Sequence, residues 1–294
     1  MLNGKNTKSY PHPQPPPYMS IRSLIHRYPA TAYFVLAYGI SCAGALLATA
    51  HKLFRGAPLQ RMDGLIMFPI LLLGPSLASI ILTGAMEGRP GLRNLLSRIG
   101  RWRVGISWWA AALLIPPAMV LFVLFLLSHL VSPDFTPNHF MIGFLFGILA
   151  GFLEEIGWTG YAFPTLRLKF NPLPAAIILG LIWGLWHFPV IDFLGAASPH
   201  GSLLPSFFIA FITAMTAIRV LICWIYSHTG SILLAMLMHA SSTGCLAALS
   251  PPHVSPVQET TWYLVYAAGL WILVAIIAGR SGLSRLPGAD SPAY

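Results

Sequence analysis

The chain alternates long apolar runs with short polar links. Eight apolar stretches can be read, at about residues 30–50, 64–86, 105–131, 139–162, 173–191, 203–226, 231–249 and 261–279. Each is near the roughly 20 residues a helix needs to cross a hydrocarbon layer of about 30 Å. None alternates apolar and polar positions with a period of two, which argues against a barrel. The pattern predicts an all-α polytopic membrane protein, with about eight transmembrane helices enclosing an intramembrane polar cavity. Residues 1–28, with the run PHPQPPPY, are expected to form a disordered, proline-rich cytoplasmic tail, residues 29–279 the eight-helix domain and residues 280–294 a short cytoplasmic tail. The first apolar run is long enough to remain as an anchor, so no cleavable leader is expected.

Composition agrees with the pattern. Only 9% of the 294 residues are charged and 56% are hydrophobic, with a mean hydropathy of +0.72. A soluble domain carries about 25% charged residues, and a soluble fold has too little interior for this much apolar surface. The net charge of +9 does not point to nucleic acid, because the basic residues fall in the links between apolar runs. With the N-terminus inside, 13 Lys and Arg lie on inner segments and 3 on outer ones, with Arg219 near the inner end of the sixth helix. That asymmetry predicts both termini in the cytoplasm. The segment GRPGLRNLLSRIGRWRV reads as a basic amphipathic stretch on the inner membrane surface. Cys42, Cys223 and Cys245 are odd in number, lack paired spacing and read as packing residues.

The apolar runs contain few ionisable residues. Glu154 and Glu155 close the run GFLFGILAGFLEEIGW, His187 lies in LIWGLWHFPV and His239 in LLAMLMHASS. A charge within a spanning helix costs about 2.5–3.5 kcal/mol on insertion scales and marks function more often than packing. No Lys or Arg accompanies them at these positions. Adjacent glutamates on a helix point about 100° apart. One can therefore face a cavity while its neighbour is anchored by hydrogen bonds. A buried carboxylate of this kind suits general-base chemistry on water. Each helix also offers a partner one turn away: Thr159 after Glu155, Trp183 before His187 and Thr243 after His239.

These three runs, in this order and spacing, resemble the motifs of the CPBP intramembrane proteases, the CAAX prenyl endopeptidase and bacteriocin-processing (Abi) group. EEIGWTGYAFP is similar to the paired-glutamate motif, IWGLWHFP to the aromatic-histidine motif and LLAMLMHASST to the second histidine motif. The likeness extends over most of residues 29–279. It implies an eight-helix core and a glutamate-dependent endopeptidase acting on a lipidated (CAAX-like) or membrane-associated peptide. By position, Glu154 would activate water, Glu155 would support it, His187 would lie beside water or substrate, and His239 with Thr243 would stabilise the oxyanion. Thr159 stands where the family usually has Arg, Thr243 where it usually has Asn, and Trp183 in place of Phe. These departures leave a catalytically weakened relative, acting as a bacteriocin-immunity or scaffold protein, as the alternative.

No cofactor is expected. Zinc held by the two carboxylates and two histidines is a minor alternative whose spacing does not follow HExxH. A proton-coupled transporter ranks last, because no inverted repeat is visible. The expected partners are a peptide or protein substrate, possibly lipidated, and membrane lipid, but no nucleic acid. The expected location is a bacterial inner membrane. Counting 1.5 Å per residue, Glu155 lies about 21 Å from Lys169 and His187 about 24 Å from Asn171, but His239 only about 12 Å from Ser231. The first two agree, and the third needs tilt, a longer helix start or a re-entrant cavity.

Overall fold

The computed structural model describes residues 20–281; the outer parts of both predicted tails, 1–19 and 282–294, lie outside the described residues. Among the described residues there are helices and turns and no strand. The first is a short helix, α1 (Ile21–Arg27), started by Ser20, whose hydroxyl accepts the Ser23 N–H.

Ten further helices follow. They are α2 (Pro29–Leu53), α3 (Arg61–Ile99), α4 (Ile106–Leu130), α5 (Gly143–Gly157), α6 (Phe163–Arg167), α7 (Pro172–Trp186), α8 (Ile191–Leu194), α9 (Leu204–Thr229), α10 (Ile232–Leu249) and α11 (Pro256–Ser281). Proline at the first positions of α2, α7 and α9 suits a helix start, where the missing N–H has no intrahelical partner. α3 bends at Gly88, whose φ of +65° leaves the helical region and separates a spanning part from the arginine-rich part.

Six helices, α2, α3, α4, α9, α10 and α11, are long and apolar enough to cross a membrane. Leu47, Ile106, Phe125 and Ile209 are exposed on their outer faces, a surface suited to lipid and not to water. The protein is an all-α polytopic membrane protein. The remaining two predicted stretches form shorter regular helices. α7 has 15 residues, and α5 has 15 before a π turn at Trp158–Ala162 carries the chain into α6. A π turn adds a residue to one turn and shifts the phase of everything after it.

Helix α5 packs along α10 through a stripe of glycines. A Cβ on Gly143 would lie 2.6 Å from the Ala248 nitrogen, and one on Gly147 2.6 Å from the Gly244 Cα. Gly151 is equally close, with a Cβ falling 2.9 Å from the Ala240 nitrogen. In lipid, where apolar burial gives helices little reason to associate, such small-residue stripes let backbones approach. Polar ties fix the other neighbours. The Trp186 indole donates to Ser41 Oγ at 3.0 Å, and Ser41 donates to the Leu71 carbonyl at 2.8 Å, joining α7, α2 and α3. Ser76 of α3 donates to the Leu153 carbonyl of α5, and Tyr38 of α2 to the Ile182 carbonyl of α7.

The start of α10 explains the depth mismatch for His239. Ser231 and Ile232 are fully buried, and the turn before them is closed by Gly230 at φ +61°, against Arg101. Ser231 donates to the Arg101 carbonyl at 2.6 Å. The basic segment thus covers the end of α10, so Ser231 does not mark the membrane surface and the eight residues to His239 start from within the bundle.

Candidate functional site

Glu154 and Glu155 end α5 just before the π turn, both fully buried. They divide their contacts sharply. Glu154 Oε2 accepts two indole N–H groups, from Trp158 at 2.9 Å and Trp183 at 2.7 Å. Glu154 Oε1 takes no hydrogen bond from the protein and lies 4.0 Å from His239 Nε2. Glu155 is saturated: Oε1 meets His239 Nδ1 at 2.7 Å, and Oε2 accepts from Arg219 Nη1 at 2.7 Å and from the Thr159 hydroxyl.

The histidine tautomers follow from these partners. A carboxylate can only accept, so His239 carries a proton on Nδ1 and presents Nε2 towards Glu154. His187 Nδ1 lies 2.8 Å from the Trp183 carbonyl, which also only accepts, so His187 too is protonated at Nδ1. Its Nε2 is then an acceptor in the neutral ring. Trp183 stands at the centre, with its ring edge-on to both histidines at centroid distances of 5.2 and 5.1 Å.

A cavity of about 440 Å³ reaches this cluster. Glu154, Trp183, His187, His239 and Thr243 line its inner end, and Glu155 and Thr159 do not line it. Its walls are mainly apolar, with Phe68, Phe146, Phe211 and Met215 among them. It extends to the links after α4, α8 and α10, where Asn138, Gly195 and Pro252 lie. That is the end of the bundle opposite the arginine-rich segment between α3 and α4.

The seven residues singled out from the sequence therefore lie on α5, the π turn, α7 with its capping residue His187, and α10. One expectation needs correction. The glutamates do have a basic companion, because Arg219 is fully buried in α9 and bonded to Glu155, not placed at an inner end. With Thr159 where the family usually has Arg, Glu155 is held by the Thr159 hydroxyl and Arg219, which share Oε2. Arg219 escaped a search for partners on the same helix because it comes 64 positions later in the chain. Among the described residues, no group of three His, Cys, Asp or Glu side chains arranged to hold a metal ion is found.

A second cluster of titratable side chains joins α8, the link after it and the first turn of α11. His200 Nδ1 meets Asp192 at 2.7 Å and His200 Nε2 meets Glu259 at 3.1 Å. Glu259 also accepts the Ala196 and Ala197 N–H groups at 2.9 and 2.7 Å. These bonds tie α8 and the link after it to the start of α11.

The fold and site define an all-α membrane protein with a buried carboxylate–histidine centre at the end of an apolar cavity. Residues 135–244 match the family described as type II CAAX prenyl endopeptidase Rce1-like. A CAAX prenyl protease 2 from Methanococcus maripaludis is 27% identical over 193 residues, covering 60% of this chain and 69% of the relative. The matched segment contains both glutamates and both histidines of the site. Over this segment the chain is similar to the CPBP (Abi), or CAAX prenyl protease, family.

Proposed function

We propose that this protein is an intramembrane endopeptidase in which Glu154 activates water to cleave a peptide bond of a lipidated or membrane-associated substrate. The observation that carries the reading is the asymmetry of Glu154. Two indoles hold one oxygen, and the other is left without a protein partner beside His239 Nε2. A carboxylate kept only to join helices would use both oxygens, because each unmade buried bond costs about 1–3 kcal/mol.

The chemistry follows from the donors and acceptors. Glu154 Oε1 takes a proton from water, and the water oxygen attacks the peptide carbonyl carbon. Donation from His239 to the oxyanion requires a proton on Nε2 as well as on Nδ1, and Glu155 is the carboxylate in contact with that ring. His239 Nε2–H then donates to the oxyanion while Glu155 steadies the imidazolium through Nδ1–H. His187 Nε2 accepts the second hydrogen of the water and so aims it. Collapse breaks the C–N bond, and the proton held by Glu154 passes to the leaving amine. Positioned base catalysis contributes about 10²–10⁴-fold, and an oxyanion donor about 10²–10³-fold.

Eight spans, counting α5 with α6 and α7, would place both termini and the arginine-rich segment in the cytoplasm of a bacterial cell. The cavity would then receive its substrate from the opposite side. Acid quenching during turnover tests the chemistry. Direct attack by water forms no acyl-enzyme, so the quenched protein should carry no attached substrate fragment by mass spectrometry. A covalently attached fragment, formed through attack by a protein side chain, would overturn the proposal.

A further inference from the structure

We infer that Arg219 is a positioning residue of this site, holding both glutamates in register from a helix that carries none of the other polar groups of the centre. The inference rests on the proposed peptidase reading for its kinetic consequence but not for its structural one.

Arg219 lies midway along α9 and is fully buried. Nη1 donates to Glu155 Oε2 at 2.7 Å. The guanidinium carbon lies 4.2 Å from the centroid of the Trp183 ring, within the range for a cation resting on an aromatic face. The same ring donates its indole N–H to Glu154. One guanidinium therefore touches Glu155 directly and Glu154 through Trp183. It does not line the cavity, so it does not meet substrate. Nε and Nη2 find no hydrogen-bond partner, so the side chain is held by one bond, one ring and its charge. A lysine could keep the charge but not the flat face laid on the indole.

An arginine at position 159 would approach Glu155 from its own helix, one turn on, where the threonine hydroxyl now sits. In this chain the cation comes from α9 instead. This adds a constraint that a same-helix arginine would not: α9 is tied to α5, and the Trp183 ring of α7 is clamped between the cation and Glu154.

The test compares wild type with Arg219→Met, Arg219→Lys and the double variant Glu155→Gln/Arg219→Met, purified in detergent. Arg219→Met is expected to lower kcat by about 100-fold, the loss typical of a misplacement near 1 Å, while KM changes less than threefold. Arg219→Lys should recover part of kcat. Thermal unfolding gives a readout that needs no substrate. Arg219→Met should melt lower than wild type, and adding Glu155→Gln should bring the melting temperature back up, because it removes the charge left unpaired. Near-wild-type kcat in Arg219→Met, or additive melting losses in the double variant, would overturn the inference. If Arg219→Met does not fold, recovery of folding in the double variant supports it and failure there counts against it. Glu154→Gln, which leaves the Arg219 contacts intact, separates this result from failure of the peptidase reading. Cleavage retained in Glu154→Gln would sink that reading while the melting comparison still decides the role of Arg219.

Discussion

Replacing Gly147 by alanine changes one methyl group and has a consequence that can be worked through. The new Cβ would sit 2.6 Å from the Gly244 Cα and closer still to the Ala240 carbonyl, whereas ordinary contact begins at 3.4 Å. Both neighbours are backbone of α10 and cannot swing aside. α10 must therefore move away from α5 by about 0.8 Å or more, the difference between those two distances. His239 rides on α10 and Glu155 on α5, joined at 2.7 Å. The same displacement stretches that bond to about 3.5 Å, the edge of what counts as a hydrogen bond. Overpacking of this kind costs about 1–3 kcal/mol, and a shift near 1 Å lowers turnover by about 100-fold. The assay pairs thermal unfolding in detergent with peptide cleavage rates. Gly39→Ala serves as the control, since a Cβ there meets nothing within 4 Å. Gly147→Ala should melt lower and cleave about 100-fold slower, with Gly39→Ala near wild type. Wild-type turnover in Gly147→Ala would refute the claim that this close approach sets the site.

Two further predictions concern the opposite end and the topology. Burial alone would discourage an imidazolium at His200, but hydrogen bonds and charge attraction from Glu259 and Asp192 outweigh it and raise its pKa above the ordinary 6.5. The folded-state pKa is thus above the unfolded one, so this contribution to stability is complete below about pH 6.5 and is lost as pH rises through the raised value. The melting temperature of wild type should fall over that window more steeply than that of His200→Gln, and identical slopes would contradict the assignment. In intact cells, in a Cys42→Ala background, a membrane-impermeant maleimide should label His139→Cys, in the exposed link after α4, and should reach Ser97→Cys only after permeabilisation. The reverse pattern would invert the proposed orientation.

Much of the centre was legible because its chemistry is local in sequence. Glu155 with Thr159 and His187 with Trp183 each sit one turn apart on a helix, and that spacing survives in the contacts, one through a hydroxyl and one through a carbonyl. The apolar runs likewise placed the long helices, because membrane spans are set by length and hydropathy. What escaped has a common cause. Arg219 pairs across helices, and its position in an apolar run near a basic link made it resemble a topology signal. His200, Asp192 and Glu259 lie on a link and a helix start, where no period relates them. The distance from Ser231 to His239 does not measure depth, because Arg101 and its neighbours cover the start of α10. The π turn after Glu155 breaks α5 before Pro164 is reached, with no proline inside the turn itself.

The most direct measurement compares purified wild type and Glu154→Gln, equally folded, on a mixture of membrane-derived and prenylated peptides, with mass spectrometry reading new termini. Glutamine keeps an oxygen for the two indoles and removes only the base. The account predicts termini in wild type and none in Glu154→Gln, and equal cleavage by the two would contradict it.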